Sequence, residues 1–112
     1  MDKPVVCVDL DGVLNAFDGW KGAEVFHDPR PGAREFLQAL NGLGYHVIVF
    51  TCRWGPHVEE WLARHGLSEY VAAVTDKKPA AHVYVDDRAI CFQGDFTRTL
   101  EQISGFKAHW ET

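Results

Sequence analysis

Apolar runs that stop at polar residues recur along the chain and predict the strands of a sheet. The first, at 5–13, is halted by two carboxylates and a glycine, which is typical of a strand that is buried on both faces and then breaks into a turn. Similar runs predict strands at 45–50, 70–74 and 82–85, with a short fifth candidate at 90–92. The pattern therefore predicts a sheet of four or five strands.

Three stretches have the apolar spacing of amphipathic helices, and they begin at Pro31, Pro56 and Phe96. We expect Phe106 and Trp110 to pack against the end of the third. The alternation of strands and helices predicts an α/β fold, a Rossmann-like three-layer sandwich with a mostly parallel central sheet. The residues expected to face inward are Phe36, Leu37, Leu40 and Leu43 in the first helix, Val58, Trp61, Leu62 and His65 in the second, and Leu100 and Ile103 in the third.

Length and charge narrow the class of protein. A chain of 112 residues makes a single domain, 1–112, and its hydrophobic fraction of 46% is ordinary for a globular protein. A formal net charge of −5 disfavours binding to a nucleic-acid backbone, which prefers a basic face. We therefore do not expect a nucleic-acid partner, although a local basic patch would permit one; its candidates are Arg30, Arg34, Arg53 and Arg88.

The cysteines and the apolar runs bear on where the protein works. Cys7, Cys52 and Cys91 are odd in number and lie in or beside predicted strands, which favours reduced core thiols over a disulfide framework. No apolar run approaches the ~20 residues that span a bilayer. The start of the chain leads directly into the first strand, without room for a signal peptide. We expect a cytoplasmic protein with no membrane partner.

Residues 14–30 contain glycines, mixed charge and no clean period, so they predict a long loop or small flap. Loops of this length in compact domains tend to be functional, and this one follows the first two carboxylates directly. Within it, Asn15 is a candidate for shaping the turn or touching substrate. Trp20, together with Phe17 and Trp54, would either form an aromatic wall for a sugar or base, or pack the flap itself.

Polar groups suited to phosphate chemistry follow each of the first four predicted strands. In parallel α/β sheets the ligand lies beyond the carboxyl ends of the strands. One hydroxyl, one ammonium and several acids are what phosphoryl transfer with a divalent metal needs, because the first two bind phosphate oxygens and the acids hold the metal or react directly. In chain order these groups are Asp9 and Asp11, then Thr51, then Lys77 or Lys78, then Asp86 and Asp87.

With these motifs the sequence resembles the haloacid dehalogenase (HAD) superfamily, which is dominated by Mg²⁺-dependent phosphatases. The family's first motif, Asp-x-Asp-Gly-(Val/Thr), is matched by residues 9–13, and its second, a Thr or Ser after the second strand, by Thr51. The third, a Lys that commonly precedes Pro, is matched best by Lys78, with Lys77 as an open alternative. The fourth, an acidic pair, is matched by residues 86–87, so the resemblance runs from about residue 5 to residue 92.

The resemblance implies a role for each acid. Asp9 would be the nucleophile that forms an aspartyl-phosphate, and Asp11 would be the general acid that then activates water as a base. Mg²⁺ would be held by Asp9, the backbone carbonyl of Asp11 and Asp86, with Asp87 as a further ligand or a supporting partner.

The resemblance also implies how the phosphoryl group is bound and how large the domain is. Thr51 and Lys78 would bind the phosphoryl oxygens, with Cys52 beside them. An acid at position 11 favours phosphatase or phosphotransferase activity over dehalogenation. The short gaps between the motifs imply a HAD-like domain with no cap. Apart from the resemblance, Arg53 and Arg88 lie next to motif residues and are candidates for contact with a second anionic group of the substrate, although pairing with a neighbouring acid is the favoured interpretation for Arg88.

The leading hypothesis is a Mg²⁺-dependent phosphomonoesterase acting on a small phosphorylated metabolite such as a sugar phosphate or a nucleotide. Two alternatives stay open. One is a nucleic-acid end-processing phosphatase, and the other is a non-catalytic phospho-receiver or phosphate-binding module. A homo-oligomer is a further candidate arrangement, because a capless site is either left open or covered by oligomerisation.

Overall fold

The computed structural model describes residues 3–111 and has an α/β fold, as predicted. Its sheet is wholly parallel, is flanked by helices and is compatible with a Rossmann-like three-layer arrangement. The strand order is β3-β2-β1-β4, so β1 pairs with both β2 and β4. The strands are β1 (Val5–Asp9), β2 (His46–Phe50), β3 (Ala73–Thr75) and β4 (Val83–Val85); the helices are α1 (Ala33–Gly42), α2 (Gly55–Arg64) and α3 (Phe96–Ser104), with a 3₁₀ turn at Ser68–Tyr70.

One face of the sheet carries the hydrophobic core. Alternate residues of β1 and β2 point to this face and are buried in one cluster with α1 and α2. Apolar residues at helical spacing supply the other half of the cluster, as the periodicity of both helices predicts. The sheet contributes Val6, Val8, Val47 and Val49, and the helices contribute Leu37, Val58, Trp61 and Leu62.

Two predicted strands differ from the structure. The third begins at Ala73 rather than at Tyr70, because the amides of Tyr70 and Val71 close a turn on Leu67 and Ser68 before the ladder starts. Within residues 3–111 the sheet has four strands, and the stretch 90–92 is not one of them.

The inward face predicted for α1 is only partly right. Leu37 is fully buried and Leu40 is partly buried, whereas Phe36 and Leu43 are exposed, Leu43 to 73%. The helix begins at Ala33, beyond Pro31, and Leu43 is its C-cap rather than a residue of its last turn. Ala33, Leu37 and Leu40, at i, i+4 and i+7, form the stripe that meets the sheet.

The predicted packing of the third helix is wrong. Leu100 and Ile103 are 65% and 57% exposed and do not face inward. Trp110 meets Phe17 edge-on, with ring centroids 5.2 Å apart, instead of packing against the end of α3. Apolar periodicity predicts a helix and its apolar face, but it does not predict which surface that face meets.

The cysteines also differ from expectation. All three are free, but only Cys7 is buried; Cys52 and Cys91 are exposed. Among the helices of the described chain, none has the length and apolar character needed to cross a membrane.

Candidate functional site

Three carboxylates meet where β1 and β4 end. Because the two strands are parallel neighbours with Val8 opposite Val85, Asp9 at the end of β1 lies beside Asp86, the first residue after β4. Asp9, Asp86 and Asp87 can each offer one oxygen such that all three oxygens lie within 4.8 Å of one another. This is the acidic set that the sequence predicted to hold a metal, apart from Asp11.

The three acids crowd one another electrostatically. Burial, followed by the charges of Asp86 and Asp87, raises the pKa of Asp9 from its usual range to about 8. The side chain of Asp87 is only 2% exposed, and its Oδ1 has no hydrogen-bond partner within the described chain. A buried carboxylate oxygen without a donor is costly, and a hard cation bound by oxygen ligands would relieve both features. The donor set therefore fits a hard cation, and Mg²⁺ as that cation stays a prediction.

Gly12 is required by the position of Asp87. It has a φ of +87°, a conformation that L side chains rarely adopt, and a Cβ at this position would overlap the Asp87 carboxylate. The glycine of the first motif therefore both turns the chain after β1 and leaves room for an acid that follows β4.

The C-terminal segment contacts the same site through Asp87 and Gly12, which the sequence did not predict. The indole of Trp110 donates a hydrogen bond to Oδ2 of Asp87, and a ring nitrogen of His109 lies 2.8 Å from the carbonyl oxygen of Gly12. Ala108, just before them, is buried. No spacing links this segment to the strand-end motifs, so only the fold could reveal it.

The hydrogen-bond partners of Asp11 differ from those of the other three carboxylates. Nε of Arg53 donates to both oxygens of Asp11, at 3.1 and 2.9 Å, and Nδ2 of Asn15 donates to Oδ1 at 2.8 Å. The strand ends at Asp9 and Leu10 already lies in a turn, so Asp9 and Asp11 do not follow one another along a continuous strand. The metal role predicted for Asp11 rested on its backbone carbonyl and stays a prediction.

Arg53 joins Asp11 to the flap at 14–30. Its Nη1 donates to the carbonyl oxygens of Gly22 and Ala23, and its guanidinium lies 4.8 Å from the ring of Trp20 and 4.3 Å from that of Phe26. The side chain is 1% exposed. Arg53 is thus surrounded by the protein and is not open to an anionic substrate as the sequence analysis expected.

Asn15 and the aromatic residues of the flap are also used within the protein. Asn15 is fully buried, and its Oδ1 accepts a hydrogen bond from the amide of His27. Trp20 covers Arg53, Phe17 meets Trp110 and Trp54 meets His57, so the three aromatic residues do not build one wall. Trp20 packs on Arg53 but is 62% exposed, so its role as a substrate contact stays a prediction.

The predicted phosphate-binding groups surround the acids unevenly. Lys78 lines the same groove as Asp9 and Asp86, and its Nζ lies 4.7 Å from the ring of Tyr84. Lys77, in contrast, has its amide bound to Oγ1 of Thr75. This arrangement favours Lys78 as the lysine of the site.

Thr51, Cys52 and Arg88 lie at the same edge of the sheet. Thr51 is buried just after β2, with its Oγ1 accepting the amide of Arg53 at 3.0 Å, and Cys52 is exposed beside it. The amide of Arg88 binds Oδ1 of Asp86, and its guanidinium lies 5.9 Å from the ring of Trp110 rather than against a neighbouring acid.

No protein-family model matches the chain, and a search of curated proteins finds no match. Among solved structures, the chain is similar to a conserved protein coded by a locus of Bacteroides thetaiotaomicron, with a TM-score of 0.60 and 22% sequence identity. The match covers 92% of this chain and 91% of that one. At this identity the likeness shows the fold alone.

Substitution of Gly12 tests whether its missing Cβ makes room for Asp87, and Gly44 provides a control with nearly the same φ. Gly44 has a φ of +88° but has nothing within 4 Å of an added Cβ. Gly44→Ala should cost only the backbone strain, about 1–2 kcal/mol in free energy of unfolding. Gly12→Ala should cost more and should also weaken Mg²⁺ binding, measured by denaturant unfolding and calorimetry. Equal costs in both variants, with Mg²⁺ binding intact, would contradict the close approach.

The raised pKa of Asp9 makes stability depend on pH in a defined direction. A group whose pKa is raised by folding contributes stability at low pH and loses it as the pH rises through the folded value. In chelator, the melting temperature of the wild type should therefore fall, relative to that of Asp9→Asn, between about pH 4 and pH 8. Asp76→Asn, at an exposed acid after β3, should follow the wild type. Parallel curves for wild type and Asp9→Asn would show that folding does not raise the pKa of Asp9.

Proposed function

We propose that the protein is a Mg²⁺-dependent phosphomonoester hydrolase that acts through an aspartyl-phosphate on Asp9. The observation that carries the proposal is the cluster of Asp9, Asp86 and Asp87, with Lys78 in the same groove. A carboxylate nucleophile among cation ligands, with an ammonium in the same groove, is the chemistry that phosphoryl transfer requires. The motifs shared with the HAD superfamily point to the same reaction.

Asp9 carries the covalent step. Its carboxylate oxygen attacks phosphorus, the bond from phosphorus to the substrate oxygen breaks, and that oxygen takes a proton from Asp11. In the second step Asp11 accepts a proton from water, the hydroxide oxygen attacks phosphorus, and inorganic phosphate leaves with the Asp9 carboxylate restored. One hard displacement is thereby divided into two easier ones.

Asp9, Asp86 and Asp87 would hold Mg²⁺, which when bound neutralises charge on the acids and on the phosphoryl oxygens. The unpartnered Oδ1 of Asp87 and the high pKa of Asp9 support this assignment, because a bound cation would favour the ionised nucleophile. Lys78 and the hydroxyl of Thr51 would bind the phosphoryl oxygens.

Arg53 acts in this scheme as a positioning residue for Asp11. Its Nε donates to both carboxylate oxygens of Asp11, while its guanidinium contacts Trp20 and donates to the carbonyl oxygen of Ala23 in the flap. The orientation of Asp11 therefore depends on the packing of residues 20–26. In the described geometry both oxygens accept from Arg53, so Asp11 must release one oxygen from this contact and take up a proton before it can protonate a leaving oxygen. The flap therefore influences proton transfer without touching substrate.

The substrate that we propose is a small phosphorylated metabolite, such as a sugar phosphate or a nucleotide. The formal net charge of −5 argues against a nucleic-acid chain as the substrate. A cytoplasmic location stays a prediction from the sequence.

Hydrolysis of p-nitrophenyl phosphate tests the reaction. The wild type should release p-nitrophenol only with Mg²⁺ present, and Asp9→Asn should lose about 10³-fold or more in kcat, because the nucleophile is gone. Asp76→Asn, a strand-end acid outside the cluster, should keep wild-type activity. Wild-type turnover in chelator, or an Asp9→Asn enzyme with unchanged kcat, would sink the proposal.

The positioning role of Arg53 predicts a dependence on the leaving group. Arg53→Lys keeps the charge but loses the planar guanidinium that binds Asp11 through Nε and the flap through Nη1. It should therefore impair hydrolysis of an alkyl phosphate at least ~10-fold more than that of p-nitrophenyl phosphate, whose leaving group needs little protonation. The matched control, Arg64→Lys, changes a surface residue paired with Glu60. An equal loss of kcat/KM on both substrates would mean that Arg53 only stabilises the fold.

A further inference from the structure

Helix α3 lacks the packing that a short helix needs. Within the described chain, none of its nine residues is buried. Isolated helices of fewer than about 12–15 residues are marginal in water, and most helical stability in proteins comes from burying an apolar face. A nine-residue helix that is this exposed therefore calls for a covering surface.

The apolar face of α3 is well defined. Phe96, Leu100 and Ile103 lie at i, i+4 and i+7 and form one stripe, and Phe92 packs on Phe96 with ring centroids 5.0 Å apart. On a helical wheel the positions beside the stripe are uncharged, and the charged residues fall on the opposite side. The flanking residues are Thr97, Thr99 and Ser104, and the charged ones are Arg98 and Glu101.

The sheet, in turn, has a face that no helix of the described chain covers. Parallel sheets are normally covered on both faces, yet the face opposite α1 and α2 opens into a groove of about 630 Å³. Its polar groups, Asp9, Asp86 and Lys78, belong to the candidate site, and the rest of its lining is uncharged. Those lining residues include Cys7, Phe50, Tyr84, Val85, Ile90 and Cys91.

Contacts after α3 hold the following segment at the edge of the sheet where the strands end. His109 and Trp110 bind Gly12 and Asp87 there. The helix presents its stripe outward, while the groove of the same chain stays open.

We propose that α3 and the groove form the interface of a two-fold symmetric dimer, in which the apolar stripe of each copy lies in the groove of the other. The exposed parts of Phe92, Phe96, Leu100, Ile103 and Phe106 amount to roughly 600 Å² per chain, taking about 200 Å² for each whole side chain. Val83 and Tyr84, also exposed, bring the total close to the ~800 Å² that each partner buries in a stable interface. The helix of the partner would then form one wall of the candidate site, whether or not that site hydrolyses a phosphate ester.

Sedimentation equilibrium of the full chain tests the interface. The wild type should be a dimer at micromolar concentration, and Leu100→Glu should raise the dissociation constant about 100-fold or more, because it would bury an unpaired charge. Leu43→Glu makes the same change at an exposed leucine of α1, and it should stay dimeric. A wild-type chain that is monomeric at ~100 µM, or equal weakening by both variants, would overturn the proposal.

Cross-linking separates a second copy from closure of α3 on its own sheet. In a Cys52→Ser background, the thiol introduced by Leu100→Cys should be joined by a short bis-maleimide to Cys91 of another chain. The product should be a covalent dimer on a denaturing gel, and it should be lost with Cys91→Ser. A monomer with an internal bridge between positions 91 and 100, or no bridge between them, would overturn the proposal.

Discussion

The mutual repulsion of three carboxylates is the constraint on which the rest of the site depends. Pairing of β1 with β4 sets Asp9 beside Asp86 and Asp87, and the crowding of these acids helps to raise the pKa of Asp9 to about 8. Gly12 makes room for Asp87, and Trp110 donates to one of its oxygens. Oδ1 of Asp87 stays buried without a donor, and the cluster has an excess of negative charge. Together these two features favour binding of a hard cation.

Asp11 belongs to a different electrostatic environment although it lies two residues from Asp9. Its carboxylate is neutralised by Arg53, whose guanidinium is buried between Trp20 and Phe26 and bound by two flap carbonyl oxygens. Two neighbouring acids with opposite surroundings can take different roles, one as nucleophile and one in proton transfer. The flap at 14–30 is thereby connected to Asp11 through Arg53, and directly through Asn15.

The parts of the fold that depend on local sequence pattern could be predicted from the sequence. Apolar runs located the strands, and because parallel strands end at one edge, the acids after β1 and β4 could be expected to meet. Pattern could not reveal that Arg53 would be enclosed by the flap, or that Trp110 would return to Asp87, because these contacts join residues far apart in the chain without any periodic signal. The stripe of α3 was visible in the sequence, but its partner surface was not, since periodicity carries no information about what a face meets.

Proton release on cation binding tests the central claim most directly. Because burial and the neighbouring acids raise the pKa of Asp9 to about 8, a cation held by Asp9, Asp86 and Asp87 must displace a proton from this cluster near neutral pH. Mg²⁺ titrations by calorimetry, in two buffers with different heats of ionisation, should therefore give net proton release at pH 7 and almost none near pH 10. Tight binding without proton release, or no binding at millimolar Mg²⁺, would contradict the account.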